Sequence, residues 1–176
     1  MGFKACSFHN QGGYKMITGK EDLIDAIVEA YTMEKGTREF YDFASSKANV
    51  DYAKETFIKL RDWEETHMHY LEFLYQAFQG DIETLSYEEF SKKVPATHIE
   101  SGIPVKEAEQ LFEEKEFVDD TEAIILALEI EGKAYNFYRK LSDSAEDSNA
   151  RVVFKEMMSQ EEKHINALMS LKRTTA

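Results

Sequence analysis

The sequence predicts an all-α fold: a four-helix bundle made of two repeated helical hairpins joined by a long crossover. Three observations predict it. Gly and Pro are scarce and gather outside two long stretches of helical periodicity. Acidic and histidine residues sit on the apolar stripes of those stretches. The second stretch also repeats the first at an offset of 97 positions, the interval from Glu34 to Glu131. Two copies separated by a long connection fit a bundle with an approximate two-fold axis better than a solenoid.

Residues 1–20 read as an N-terminal extension and residues 21–176 as the bundle, with one hairpin over 21–79, a crossover over 80–120 and a second hairpin over 121–172. The first helix, 21–46, carries Ile27, Ala30, Glu34, Thr37, Tyr41 and Ala44 at spacings of three and four, hence on one face. The second, 50–79, does the same with Ala53, Phe57, Leu60, Glu64, His67, Leu71 and Leu74. The crossover holds both prolines, Pro95 and Pro104, and two short amphipathic pieces, SYEEFSKKV and PVKEAEQLF. A connection this long can return the chain along the bundle, leaving the second and third helices parallel. Residues 121–144 and 147–172 then read as the last two helices, each with an acidic residue on its apolar stripe.

Composition bounds the function. The chain has 176 residues and is 43% hydrophobic, enough for one domain with a sizeable core. Its 21 basic and 34 acidic residues give a net charge of −13, which repels nucleic acid and anionic membrane surfaces. There is no apolar run of membrane-spanning length, and MGFKACSFHNQGGYK lacks the apolar stretch of a secretory signal, so a cytoplasmic protein is expected. The single cysteine, Cys6, excludes an internal disulfide and a four-cysteine metal knuckle within these residues. Cys6 and His9 alone have too few partners for a metal site.

The chemistry lies on the seam. At the 97-residue offset Ala26 meets Ala123, Ile27 meets Ile124, Phe40 and Tyr41 meet Phe137 and Tyr138, and Phe57 meets Phe154. Each half has a lone Glu on its first helix and, 30 residues later, a Glu-x-x-His on its second. These are Glu34 with Glu64 and His67, and Glu131 with Glu161 and His164. Residues three apart on a helix share a face, so one Glu and one His can address a common centre. Four carboxylates in one core repel one another, and burying each costs several kcal/mol. No Lys or Arg occupies a neighbouring seam position. Two divalent cations would neutralise the four carboxylates while two neutral imidazoles complete their surroundings, so the pattern predicts a dinuclear metal site. Carboxylates with a few imidazoles suit iron or manganese. Glu65 and Glu162 fall one position off the seam and read as surface charge. His69 and His98 have no repeat counterpart and are left out of the site, and Trp63, also unmatched, is expected to face a partner surface.

The segments MEKGTREFY with DWEETH, and IEGKAYNFY with SQEEKH, resemble the rubrerythrin branch of the ferritin-like superfamily over about residues 21–172. The resemblance implies two iron ions, with Glu34 and Glu131 as terminal carboxylate ligands, Glu64 and Glu161 as bridging carboxylates, and His67 and His164 as terminal nitrogen ligands. Tyr41 and Tyr138 follow the lone glutamates by seven residues, about two turns along the same face. Their hydroxyls are expected to orient ligand carboxylates.

The implied activity is a di-iron oxidoreductase that reduces peroxide or dioxygen. Rubrerythrins of the founding type carry a four-cysteine rubredoxin module, whereas this chain has one cysteine, so an external donor such as a rubredoxin-like protein is expected. Many peroxide-reducing members have a further Glu one turn after the third-helix ligand; here that position is Ala134, with Thr37 as its counterpart. A homodimer is the expected assembly. The alternatives are an iron-handling protein of ferroxidase type and a non-redox interaction domain stabilised by metal.

Overall fold

The computed structural model describes residues 9–10, 13–14, 17–48, 51–80, 92, 94–114 and 120–175. A short antiparallel ladder comes first, β1 (His9–Asn10) with β2 (Gly13–Tyr14), His9 opposite Tyr14. Four long helices follow: α1 (Lys20–Lys47), α2 (Asp51–Gln79), α4 (Asp120–Ser144) and α5 (Ser148–Thr175). A ten-residue α3 (Val105–Glu114) lies within the crossover. The fold is the four-helix bundle that the periodicity predicts, each long helix starting within about one residue of its expected position. Of the two crossover pieces, PVKEAEQLF forms most of α3, and SYEEFSKKV lies largely outside the described residues.

The helix ends have local causes. Glu21 and Asp22 favour the α1 N-terminus electrostatically, and the Thr18 hydroxyl donates to the Asp22 carboxylate at 2.9 Å. At α5 the Asp147 carboxylate accepts from the backbone N–H groups of Asn149 and Ala150, both at 2.9 Å, satisfying two donors that the helix leaves free. Gly80 ends α2 in the left-handed region, φ 72°.

Two apolar cores fill the bundle. One joins the start of α1 (Leu23, Ile27, Tyr31), the end of α2 (Leu71, Leu74), the end of α4 (Tyr138, Leu141) and the start of α5 (Ala150, Phe154). The other joins the end of α1 (Phe40, Tyr41, Ala44), the start of α2 (Ala53, Phe57, Leu60), the start of α4 (Ala123, Ile124, Ala127) and Leu168 of α5. The ends of α2 and α4 share one core and their starts share the other, so these two helices run the same way.

Ile17 adds to the first core and pairs with Ala145 in the turn between α4 and α5. α3 adds Ala108 and Phe112 to the second, where Phe112 meets Phe57 edge-on with ring centroids 5.6 Å apart. The middle of each long helix, between the cores, is left to polar residues.

Candidate metal centre

All six predicted ligands meet in that middle layer. Glu34, Glu64, Glu131 and Glu161 have no exposed surface, and His67 and His164 are buried. Their arrangement follows the repeat. His67 Nδ1 lies 3.1 Å from Glu34 Oε2, and His164 Nδ1 lies 3.0 Å from Glu131 Oε2. Tyr41 donates its hydroxyl to Glu131 Oε1 at 2.6 Å, and Tyr138 donates to Glu34 Oε1. Each tyrosine thus reaches from one hairpin to the lone glutamate of the other. One hydroxyl belongs to each apolar core, so each core holds one carboxylate of the layer between them.

Single carboxylates and imidazoles serve several groups. Ligand atoms of Glu34, Glu64 and His67 lie within 4.8 Å of one another, and so do those of Glu64, Glu131 and His164, so Glu64 belongs to both hairpins' sets. Glu161 likewise gathers with His67 and His164. His67 Nδ1 faces three carboxylates, Glu34 at 3.1 Å, Glu161 at 3.2 Å and Glu64 at 3.3 Å. One ring nitrogen carries at most one proton and cannot satisfy three acceptors.

The electrostatics express the same surplus of acceptors. Burial alone would raise Glu34, but the adjacent His67 charge and hydrogen bonds from its neighbours outweigh it and hold this carboxyl at about 2. Glu131 is lowered in the same manner, its burial outweighed by His164. Glu64 and Glu161 are pushed well up, first by burial and then by the charges of the other carboxylates. Burial would lower His67, and the Glu34 charge overrides it and raises it. Both tyrosines are driven well above the ordinary phenol range by burial and carboxylate charge, which keeps them as donors.

The residues fit a pair of divalent ions on two observations. The carboxylate oxygens of Glu64 and Glu161 receive no hydrogen bond from the protein. Among the described residues, moreover, no Lys or Arg is buried to balance the charge. A set of carboxylate oxygens with two imidazole nitrogens suits iron or manganese.

Three features lie outside the sequence reading. Glu100, from the crossover, is only 2% exposed and gathers one oxygen with Glu34 and Glu161 within 4.8 Å. Self-comparison could not find it, because it has no counterpart in the repeat. The available signal was Gly36, a glycine inside a helix on the buried side.

Trp63, expected to face a partner surface, is half-buried and stacks on the His164 ring at 4.5 Å and 16°, and His164 stacks on His67 at 4.7 Å and 9°. A cavity of about 430 Å³, lined by Trp63, Thr66, His67, Tyr70, Lys163 and His164 among others, opens on these imidazoles. The residues left out of the site stay outside it. His69 and His98 are exposed, Glu65 pairs with Arg38, and Glu162 is exposed.

A hypothetical protein from Pyrococcus furiosus of solved structure matches with a TM-score of 0.56 and 22% identity, covering 86% of this chain and 88% of that one, which shows a shared fold. No curated protein matches the chain. The family model described as Rubrerythrin matches residues 25–172, which include all six predicted ligands and both tyrosines. By that match the chain belongs to the rubrerythrin family of di-iron carboxylate proteins.

Proposed function

We propose that the protein is a di-iron carboxylate oxidoreductase that reduces peroxide or dioxygen with electrons from an external donor. The observation that carries this reading is the buried layer of carboxylates and two imidazoles with no buried Lys or Arg among the described residues. Two iron ions held there would supply a Lewis-acid binding position and the electrons for a two-electron reduction.

The chain's own residues have distinct parts in this reading. Glu34 with His67, and Glu131 with His164, would hold one ion each, and Glu64, which belongs to both hairpins' sets, would be shared between them. Glu161 is its repeat counterpart. Tyr138 and Tyr41 fix the outer oxygens of Glu34 and Glu131, so those carboxylates keep their orientation as charge at the centre changes. The two apolar cores keep bulk water away on both sides along the bundle. The cavity beside Trp63 admits a molecule as small as peroxide to the imidazole side, with the exposed Lys163 and Glu156 both at its rim. These 176 residues hold one cysteine, so in this reading the electrons come from a donor outside them.

Anaerobic ferrous loading followed by stopped-flow mixing with peroxide tests the proposal. Two irons per chain and ferric absorbance that grows much faster than with free ferrous ion are expected, with both lost in Glu64→Gln. Failure to bind iron, or oxidation no faster than in buffer, sinks it. Uptake far beyond two irons per chain would point instead to iron handling.

A further inference from the structure

Glu100 is a buried carboxylate that neither helical repeat accounts for, and the chain goes to some length to hold it. Its backbone N–H donates to Thr37 Oγ1 at 2.9 Å, and that hydroxyl donates to Met33 O at 3.1 Å, so the residue is anchored to α1 one turn beyond Glu34. The loop around it is tight. Ile99 N–H donates to Ile103 O at 2.9 Å, Gly102 N–H to Ile99 O at 2.8 Å and Val105 N–H to Thr97 O at 3.2 Å, with Gly102 at φ 79°. The loop reaches α1 because Gly36 has no side chain; a Cβ there would overlap the His98 carbonyl oxygen. Lys35 Nζ, donating to Val94 O at 2.9 Å, ties down the segment before it.

For all this support, neither carboxylate oxygen of Glu100 receives a protein hydrogen bond, although the residue is only 2% exposed. An ionisable group buried without a partner costs several kcal/mol, and an apolar side chain would pack the position at no such cost. One of its oxygens instead joins oxygens of Glu34 and Glu161, three carboxylates within 4.8 Å. Convergence of that kind leaves the carboxyls either to share protons or to gather round a cation.

We propose that Glu100 is a fifth carboxylate ligand of the metal pair, delivered by the crossover, so that metal loading fastens the 97–103 loop to α1. The inference rests on the dinuclear reading above and adds to it a coupling between metal occupancy and a segment outside the four long helices. The ligand set is then asymmetric. Glu34 gains a neighbouring carboxylate from the loop held by Thr37, whereas the repeat counterpart of Thr37 is Ala134, which has no hydroxyl to hold such a loop beside Glu131.

The test uses the full chain and Mn²⁺ as probe, with free ion measured by electron paramagnetic resonance and amide exchange followed with and without metal. Wild-type protein should bind two ions and gain exchange protection over residues 97–103 on loading. Glu100→Gln should weaken at least one ion on the order of ten-fold or more and lose that gain. It should also melt no lower than wild type when metal-free, because no ionisable group is then buried there, yet lower than wild type when loaded. A purely structural role for Glu100 would lower both melts. Unchanged affinity for both ions in Glu100→Gln overturns the proposal. So does wild-type protection over 97–103 that metal does not alter, a readout that needs no variant to fold. If Glu64→Gln loses binding and Glu100→Gln does not, this inference alone fails; if wild type binds no metal, the dinuclear reading fails with it.

Discussion

Tyr41 and Tyr138 show how much of the centre depends on single atoms. Each is fully buried, and its hydroxyl reaches across the hairpin interface to a carboxylate oxygen. Tyr41→Phe or Tyr138→Phe would leave that oxygen without its donor at a cost of about 1–3 kcal/mol in the metal-free protein. Each should also weaken metal binding about 10–100-fold by freeing a carboxylate of the proposed ligand set to rotate. Chemical denaturation and metal titration check both effects; the repeat gives the two variants the same direction, and the extra carboxylate beside Glu34 lets their magnitudes differ. These tyrosines were legible from spacing, since seven residues after a seam glutamate returns the chain to the same face. Glu100 and the Trp63–His164 stack were not, because each depends on segments that approach only in the folded chain.

At the scale of elements, the crossover is the part that sequence reading left least defined. Its periodicity places an amphipathic piece where α3 forms, and α3 adds Phe112 to the aromatic cluster with Phe40, Phe43 and Phe57. The loop before it docks on α1 through Gly36, whose position in a helix costs about 1 kcal/mol relative to Ala. Gly36→Ala would therefore be stabilising on propensity alone. The clash with the His98 backbone reverses the sign, because a carbonyl cannot yield as a side-chain end can. We expect a loss of about 1–3 kcal/mol by urea unfolding, of the size that overpacking causes. Stability equal to or above wild type would mean that the loop moves aside freely.

The whole molecule carries a buried charge problem that a bound metal pair would resolve, and pH should reveal it. In the metal-free chain Glu64, Glu100 and Glu161 are raised well above the ordinary 4.5, by burial first and neighbouring carboxylates next. A raised carboxyl contributes stability that is full below the unfolded value and lost as pH climbs through the folded one. His67, raised by Glu34 despite its burial, acts in the same direction above its ordinary 6.5. Glu34, lowered to about 2, opposes them, adding stability above 4.5 that is lost as pH falls toward 2. Between about pH 5 and 8 the raised groups dominate, so the metal-free melting temperature should fall as pH rises. Metal requires the deprotonated carboxylates, so the loaded protein should show the opposite slope and release protons on binding. Melting curves at stepped pH with chelator and with Mn²⁺ check this; parallel slopes would contradict it.

By itself the sequence determined the four long helices, their pairing into two like hairpins and the six residues facing the centre. All of these are consequences of local period and of a repeat visible along one chain. Only the tertiary structure decided what comes to that centre from elsewhere: the cross-hairpin tyrosine bonds, the stack of Trp63 on His164, the cavity beside it and Glu100 from the crossover. The physical reason is that periodicity reports which face of a helix is buried, whereas the approach of a loop depends on missing atoms such as a Cβ at Gly36 and on hydrogen bonds between residues such as Thr37 and Glu100, 63 positions apart.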